Sequence, residues 1–100
     1  MPCFAVTNLH GPAWDHARSL REQDVWDEHA AFMDGLVEDG FVLLGGPLGE
    51  HRALLIVIAD SEAEVRARLA QDPWTPMRVL GVERVEPWEV LLGELPMPPG

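Results

Sequence analysis

Two neighbouring apolar runs, Phe41–Leu44 and Arg52–Ala59, constrain the fold of this chain more than any other feature of its sequence. The first run is predicted to stop at Gly45-Gly46-Pro47, and two strands joined by a short glycine-rich link are typical of a β-hairpin. Neither run alternates apolar with polar residues, so both faces of each strand should be buried. The sheet that contains this hairpin therefore needs a cover on each of its faces.

The segment that precedes the hairpin, Ser19–Gly40, is predicted to form one helix of about five turns. Ser19 and Glu22 stand in a capping-box pattern at its start, and Gly40 occupies the position where a left-handed residue ends a helix. The apolar residues of this segment recur at helical spacing and predict one buried face. They are Val25, Trp26, Ala30, Phe32, Met33, Leu36 and Val37.

A second helix follows the hairpin. It is predicted to begin at Ser61, where Glu64 completes another capping box. It should end at Asp72, because the residue before Pro73 is disfavoured in the helical conformation.

The first and the last strand of the chain complete the predicted pattern, and the first is expected at the centre of the sheet because both of its faces are apolar. Cys3–Thr7 is a short apolar run, and Glu83–Leu92 alternates well enough for a last strand. Pro87 places that strand at a sheet edge, because proline cannot donate a hydrogen bond to a neighbouring strand. The residues expected on one face of it are Trp88, Val90 and Leu92.

The resulting order, β-α-β-β-α-β, is the ferredoxin-like pattern. It predicts an α+β fold in which a four-stranded antiparallel sheet carries two helices on one face. The length of 100 residues suits one domain, assigned to residues 1–94, followed by a Pro-rich tail at 95–100. The second face of the sheet is also apolar and has no element left to cover it. We therefore expect a homodimer in which two copies pack sheet against sheet.

Charge and cysteine content argue against several classes of function. The net charge is −10, with seven arginines and no lysine, so a nucleic-acid partner is not expected. Cys3 is the single cysteine, so no disulfide can form within the chain, which suits a reducing compartment. We find neither a basic signal-like N-terminus nor an apolar run long enough to span a membrane. A cytoplasmic protein without a membrane partner is expected.

His29 and Asp72 are the residues best suited to acid–base chemistry. A histidine on the apolar face of a helix must find a partner or stay neutral at a desolvation cost. Alone, His29 fits a satisfied core residue as well as a functional one, and an aspartate before proline commonly initiates a turn. Together they predict a pair in which the Asp72 carboxylate orients the imidazole and fixes its tautomer.

Two candidates for substrate binding lie before the apolar part of the first helix. Trp14 belongs to the long loop Leu9–Arg18, which is either an ordinary connection or a lid over a pocket. Arg21 would bind an anionic or phenolate oxygen. The alternative for Arg21 is an exposed surface position.

Three further candidates accompany His29 and Asp72. Trp26 and Trp74 flank these residues in the sequence and would either line an aromatic pocket or pack in the core. Gly46 would either let a ligand approach the backbone or form a turn. The four histidines show no metal-ligand spacing, and no cofactor-binding motif is present, so neither a metal nor a cofactor is expected.

Taken together, several of these motifs resemble the YCII-related family. The motifs lie within residues 3–92 and are His29 in an amphipathic helix, the run Gly40–Pro47, Asp72-Pro73-Trp74 and Pro87-Trp88. The resemblance implies a dimeric α+β barrel with an active site built on a histidine and an aspartate, here His29 and Asp72. Similar proteins include dehydrochlorinases of chlorinated hydroxyquinones, and barrel relatives include muconolactone isomerases and cofactor-free monooxygenases. The loop Leu9–Arg18, which is rich in Trp and His, differs from what is expected of an ordinary member of this family.

The function expected from these residues is that of a small, cofactor-independent enzyme. His29 would act as general base or acid and Asp72 as its orienter, in the elimination or isomerisation of a small cyclic or aromatic hydroxylated compound. The alternative is a non-catalytic small-molecule-binding or protein-interaction module in which the His–Asp pair is structural.

Overall fold

The order of elements predicted from the sequence is confirmed. The computed structural model describes residues 2–94 and has the order β-α-β-β-α-β, with a short 3₁₀ turn before the first helix. The elements are β1 (Cys3–His10), the 3₁₀ turn (Leu20–Glu22), α1 (Trp26–Glu38), β2 (Val42–Leu48), β3 (Arg52–Ile58), α2 (Glu62–Leu69) and β4 (Leu80–Pro87). The predicted tail at 95–100 lies outside the described residues.

The four strands form one antiparallel sheet in the order β2-β3-β1-β4. Val6 of β1 lies opposite Leu55 of β3 and Val85 of β4, and all three side chains are buried. They pack in one apolar cluster with Leu36 of α1 and Val65 of α2. The core therefore lies between the sheet and the two helices, and the fold is α+β and ferredoxin-like.

The prediction of one continuous helix from Ser19 is wrong in its first part. The Ser19 N–H donates to Oε1 of Glu22 at 2.9 Å, as in a capping box, but this contact closes only the 3₁₀ turn. The backbone is extended at Gln23 and left-handed at Val25 (φ 62°), and α1 begins at the next residue. The left-handed conformation strains a β-branched side chain, so tertiary contacts must hold this break in place.

The C-terminal end of the same segment agrees with the prediction. Gly40 follows α1 with φ 76°, the left-handed conformation that terminates a helix. Not every residue of the predicted apolar face is buried, since Val25 and Val37 are exposed. His29 and Leu36 are the buried residues of α1.

β1 and β2 are longer than predicted. β2 does not stop at Gly45 but continues to Leu48. Pro47 is tolerated opposite Ala53 because β2 is an edge strand, where the missing N–H leaves no neighbour unpaired. β1 continues to His10, so the loop begins later than Leu9.

The last strand is shifted from the predicted range Glu83–Leu92. β4 begins at Leu80 and ends at Pro87, and its position at the sheet edge is confirmed. Trp88 lies just beyond it and donates its N–H to the carbonyl of Cys3 at 2.9 Å. Leu92 is 90% exposed, so the predicted apolar face of residues after Pro87 does not form part of the sheet.

The start of α2 agrees with the prediction and its end does not. The Glu64 N–H donates to Oγ of Ser61 at 3.2 Å, so the predicted cap forms. α2 ends at Leu69, and Asp72 therefore lies in the turn that follows the helix. Within residues 2–94, no helix has the length and apolar character needed to cross a membrane.

Candidate active site

A cavity of about 410 Å³ lies between α1, the β2–β3 hairpin and the residues that follow β1. Three tryptophans, Trp14, Trp26 and Trp74, line it together with the imidazoles of His10 and His29. A cavity of this volume suits a small-molecule ligand, and its aromatic walls suit a planar ring.

The predicted pairing of His29 with Asp72 is confirmed. Nδ1 of His29 lies 2.8 Å from Oδ2 and 3.0 Å from Oδ1 of Asp72, and the two residues are only 8% and 6% exposed. Because an ionised carboxylate only accepts hydrogen bonds, Nδ1 carries the proton and the neutral ring keeps its lone pair on Nε2. His29 lines the cavity, and no group among residues 2–94 forms a hydrogen bond with Nε2. The catalytic use of this nitrogen stays a prediction.

Trp74 holds both members of the pair. Its backbone N–H donates to Oδ1 of Asp72 at 2.9 Å, and its ring stacks on that of His29 with centroids 3.8 Å apart and an interplanar angle of 8°. The indole N–H donates to the carbonyl of Asp24 at 2.7 Å. Trp74 is thus a buried core residue and also part of the cavity wall, and its face can stabilise an imidazolium.

Trp26 and Trp14 continue the aromatic wall on either side of Trp74. The ring of Trp26 lies 5.9 Å from that of Trp74 and 5.7 Å from that of His29, between centroids. Trp14 meets Trp74 edge-on at 6.1 Å and stacks on His10 at 3.6 Å. The loop after β1 therefore folds back onto the domain and covers one side of the cavity, a position that both the lid and the ordinary connection allow.

A buried glutamine fixes this loop. Gln23 donates from Nε2 to the carbonyls of Asp15, at 2.8 Å, and Arg18, at 3.1 Å, and its Oε1 accepts from the Asp15 N–H at 3.0 Å. Gln23 is buried although it carries a polar side chain. Gln23 therefore fixes the conformation of the loop and also prevents the residues just before α1 from continuing the helix.

Three imidazoles gather beside the cavity. The ring of His51 lies 6.3 Å from that of His10 and 5.8 Å from that of His16, between centroids. Burial lowers the pKa of His10, and the positive charges that His51 and His16 can acquire lower it further. Among residues 2–94, these histidines included, no group of three or more His, Cys, Asp or Glu side chains is arranged to hold a metal ion.

The structure does not bring Arg21 to the cavity. Arg21 is exposed on the 3₁₀ turn, and the arginine that lines the cavity is Arg52, at the start of β3. Gly46 does line the cavity, and a Cβ added there would meet no atom within 4 Å. At Gly45 an added Cβ would lie 2.6 Å from Cδ2 of Leu55, so a larger residue there would have to displace the Leu55 side chain.

Sequence reasoning missed Asn8. This residue lies on β1 at the same face as Phe4 and Val6, is 7% exposed, and lines the cavity. The sequence did carry a signal for it, because Phe4, Val6 and Asn8 occupy alternate positions on one face of the strand and the third of them is polar.

Comparison with known proteins finds no relative of this chain: no family model matches it, and neither does any curated protein or solved structure. The functional argument therefore depends on the geometry of the cavity and its residues.

Proposed function

We propose that this protein is a cofactor-independent enzyme that performs acid–base chemistry with His29 and Asp72. One observation carries the proposal: Asp72 engages Nδ1 of a buried imidazole whose ring lines an aromatic cavity. In this arrangement Nε2 is the proton acceptor, and Asp72 stabilises the charge that the ring acquires when it takes the proton.

The proposed reaction is an elimination or an isomerisation. Nε2 of His29 removes a proton from a carbon or hydroxyl group of the substrate, and the electron pair left behind either expels a leaving group or shifts a double bond. In an elimination the imidazolium then passes its proton to the departing group or to solvent, and in an isomerisation it returns the proton at a second carbon of the substrate. Stacking on Trp74 supports this cycle, because an aromatic face stabilises the cationic state of the ring.

The proposed substrate is a small cyclic or aromatic hydroxylated compound. The three tryptophans of the cavity and its volume of about 410 Å³ favour one planar ring over an extended chain. This substrate class agrees with the resemblance to the YCII-related family. Membership in that family is part of the proposal, supported by the His–Asp pair and the ferredoxin-like order.

A turnover screen with a His29→Gln variant tests the proposal. Chlorinated hydroquinones would be followed by chloride release and unsaturated cyclic lactones by movement of the double bond in NMR spectra. We expect turnover by the natural chain to fall about 10²- to 10⁴-fold in His29→Gln. The control is His51→Gln, since His51 is an exposed histidine outside the cavity lining. Saturable binding without turnover would contradict the enzyme and favour a ligand-binding module.

A homodimer through the second face of the sheet is also proposed. Strand alternation places Ile56 on the face opposite Leu55, and Leu44 and Ala5 are its partners across the sheet. Leu44 is 51% exposed there, and Leu9 and Leu48 are exposed on the same face. A second copy of this face would bury these side chains and complete the α+β barrel that the family resemblance implies.

A cytoplasmic location completes the proposal. Cys3 is the single cysteine of the chain, and burial raises the pKa of its thiol. A protonated thiol is a poor nucleophile and suits a protein that forms no disulfide. Fractionation of the source cells tests this location.

A further inference from the structure

Asn8 is a buried polar residue that the acid–base mechanism leaves unused. It projects from β1 toward the helices, and Oδ1 has no hydrogen-bond partner among the described residues. A buried amide oxygen that has lost water and gained no partner destabilises a fold, by an amount similar to that of a lost hydrogen bond. Such a group in a functional protein needs a reason for its presence.

The position of Asn8 relative to His29 supplies that reason. The buried polar side chains among residues 2–94 are Asn8, Gln23, His29 and Asp72. Gln23 is bonded to the loop, and Asp72 is bonded to His29 and Trp74. Asn8 and His29 are the two that line the cavity. Asp34, Glu50 and Arg52 also line the cavity but are exposed, so its buried polar points are the Asn8 amide and Nε2 of His29.

We propose that Asn8 is a specificity-determining residue, which binds an oxygen substituent of the ligand while His29 engages another. The ligand class is a planar ring with two hydroxyl or carbonyl oxygens. Because Oδ1 is enclosed by protein atoms, the N–H₂ group is the part of the amide that can face a ligand, and it can donate to either a hydroxyl or a carbonyl oxygen. This inference rests on the proposed function, since it assigns the substrate class of the same cavity.

Two probes of the same shape test the assignment. Hydroquinone has two hydroxyl groups on a benzene ring, and p-xylene has methyl groups at the same positions. Quenching of tryptophan fluorescence reports binding, because Trp14, Trp26 and Trp74 all line the cavity. The variants are Asn8→Leu and the shorter Asn8→Ala, and the control is Thr7→Val, which removes a polar group from the opposite face of β1.

The natural chain should bind hydroquinone more tightly than p-xylene. In Asn8→Leu and Asn8→Ala we expect hydroquinone binding to weaken roughly 10- to 100-fold, while p-xylene binding is unchanged or tighter. Thr7→Val should bind both probes as the natural chain does. The melting temperature of Asn8→Leu should stay the same or rise, because an unpartnered buried amide is replaced by an apolar group.

Two results would overturn the proposal. One is that the natural chain shows no saturable preference for hydroquinone. The other is that the preference survives in Asn8→Leu while the melting temperature falls. The second result would make the amide a structural group, for example one bridged to Asp72 by water in the void of about 10 Å³ that both residues line. Because the experiment measures binding without turnover, it separates the failure of this inference from the failure of the proposed enzyme.

Discussion

At the scale of single residues, the chemistry of the cavity depends on which nitrogen of His29 carries the proton. Asp72 settles this by accepting from Nδ1, and the Trp74 backbone N–H in turn holds Asp72 in place. The stacked Trp74 ring then limits the tilt of the imidazole. Asp72 and Trp74 thus direct Nε2 into the cavity, and no other charged residue is needed to orient the imidazole.

Replacing Asp72 by asparagine should change the tautomer of His29. The Trp74 N–H still binds the one oxygen that the new side chain keeps, so the new amide N–H₂ faces Nδ1 and the ring proton moves to Nε2. We expect ¹⁵N chemical shifts of the ring to show this exchange at neutral pH, and turnover in the proposed reaction to fall about 10²- to 10⁴-fold. Asp34→Asn is the control, since Asp34 also lines the cavity but does not bond His29. An unchanged Nδ1–H tautomer in Asp72→Asn would contradict the assigned role.

The lowered pKa of His10 predicts a pH-dependent contribution to stability. In the unfolded chain the pKa of His10 is near 6.5, and in the fold burial, His51 and His16 bring it lower. As the pH falls through 6.5 the unfolded state takes up a proton first, so this contribution is absent well above that pH and destabilises the fold below it. His10→Phe preserves stacking on Trp14 but cannot take up this proton. Between about pH 8 and pH 5, the melting temperature of the natural chain should therefore fall relative to that of His10→Phe. A difference that does not change with pH would refute this linkage.

At the scale of elements, the loop between β1 and α1 decides the shape of the cavity. Its start is fixed by backbone bonds of Gly11 to Val79 and of Ala13 to Arg78, at 2.9 and 3.0 Å. A Cβ at Gly11 would collide with the Arg78 carbonyl, so the chain passes that point only as glycine. The later part of the loop depends on Gln23.

Replacing Gln23 by methionine should loosen the loop that carries Trp14. Methionine keeps the length of the side chain but leaves the Asp15 N–H and the carbonyls of Asp15 and Arg18 without their partner. We expect a loss of about 1–3 kcal/mol in the free energy of unfolding and faster hydrogen exchange at the Asp15 amide. The matched control is Gln71→Met, the same change at an exposed glutamine, which should have little effect. Equal exchange rates at Asp15 in both variants would show that Gln23 does not hold the loop.

At the scale of the whole molecule, the two faces of the sheet are unequal. One face carries both helices and the core, and the other exposes Leu9 of β1 and Leu44 and Leu48 of the edge strand β2. Exposed apolar side chains that gather on one face of a sheet are typical of interaction surfaces in folded proteins. The strong negative charge of −10 would oppose association unless apolar contact outweighs it.

Sedimentation at micromolar concentration should therefore give about twice the chain mass of 11.1 kDa. Leu44→Glu places a charge within the proposed interface and should produce a folded monomer. Leu91→Glu introduces the same charge at an exposed leucine outside the strands and should leave the dimer intact. A natural chain that sediments as a folded monomer would remove the homodimer from the proposal.

The sequence by itself determined the order of elements, the start of α2 at Ser61, the end of the first helix at Gly40 and the pairing of His29 with Asp72. Capping, helix termination and hydrophobic periodicity depend on residues a few positions apart, so a linear sequence carries them in full. The His–Asp pair joins distant residues. It was predictable because a histidine on an apolar helix face needs a partner, and the family resemblance pointed to Asp72.

Only the tertiary structure decided where the first helix begins, how far β2 runs and what lines the cavity. The helix starts late because Gln23 binds the loop and because the Trp74 indole, 50 positions away, binds the Asp24 carbonyl. β2 passes through Pro47 because it lies at the edge of the sheet. Arg21 stays outside the cavity because it lies on the exposed 3₁₀ turn before the late start of the helix. Long-range hydrogen bonds and strand order are set by the packed chain, and local spacing does not encode them.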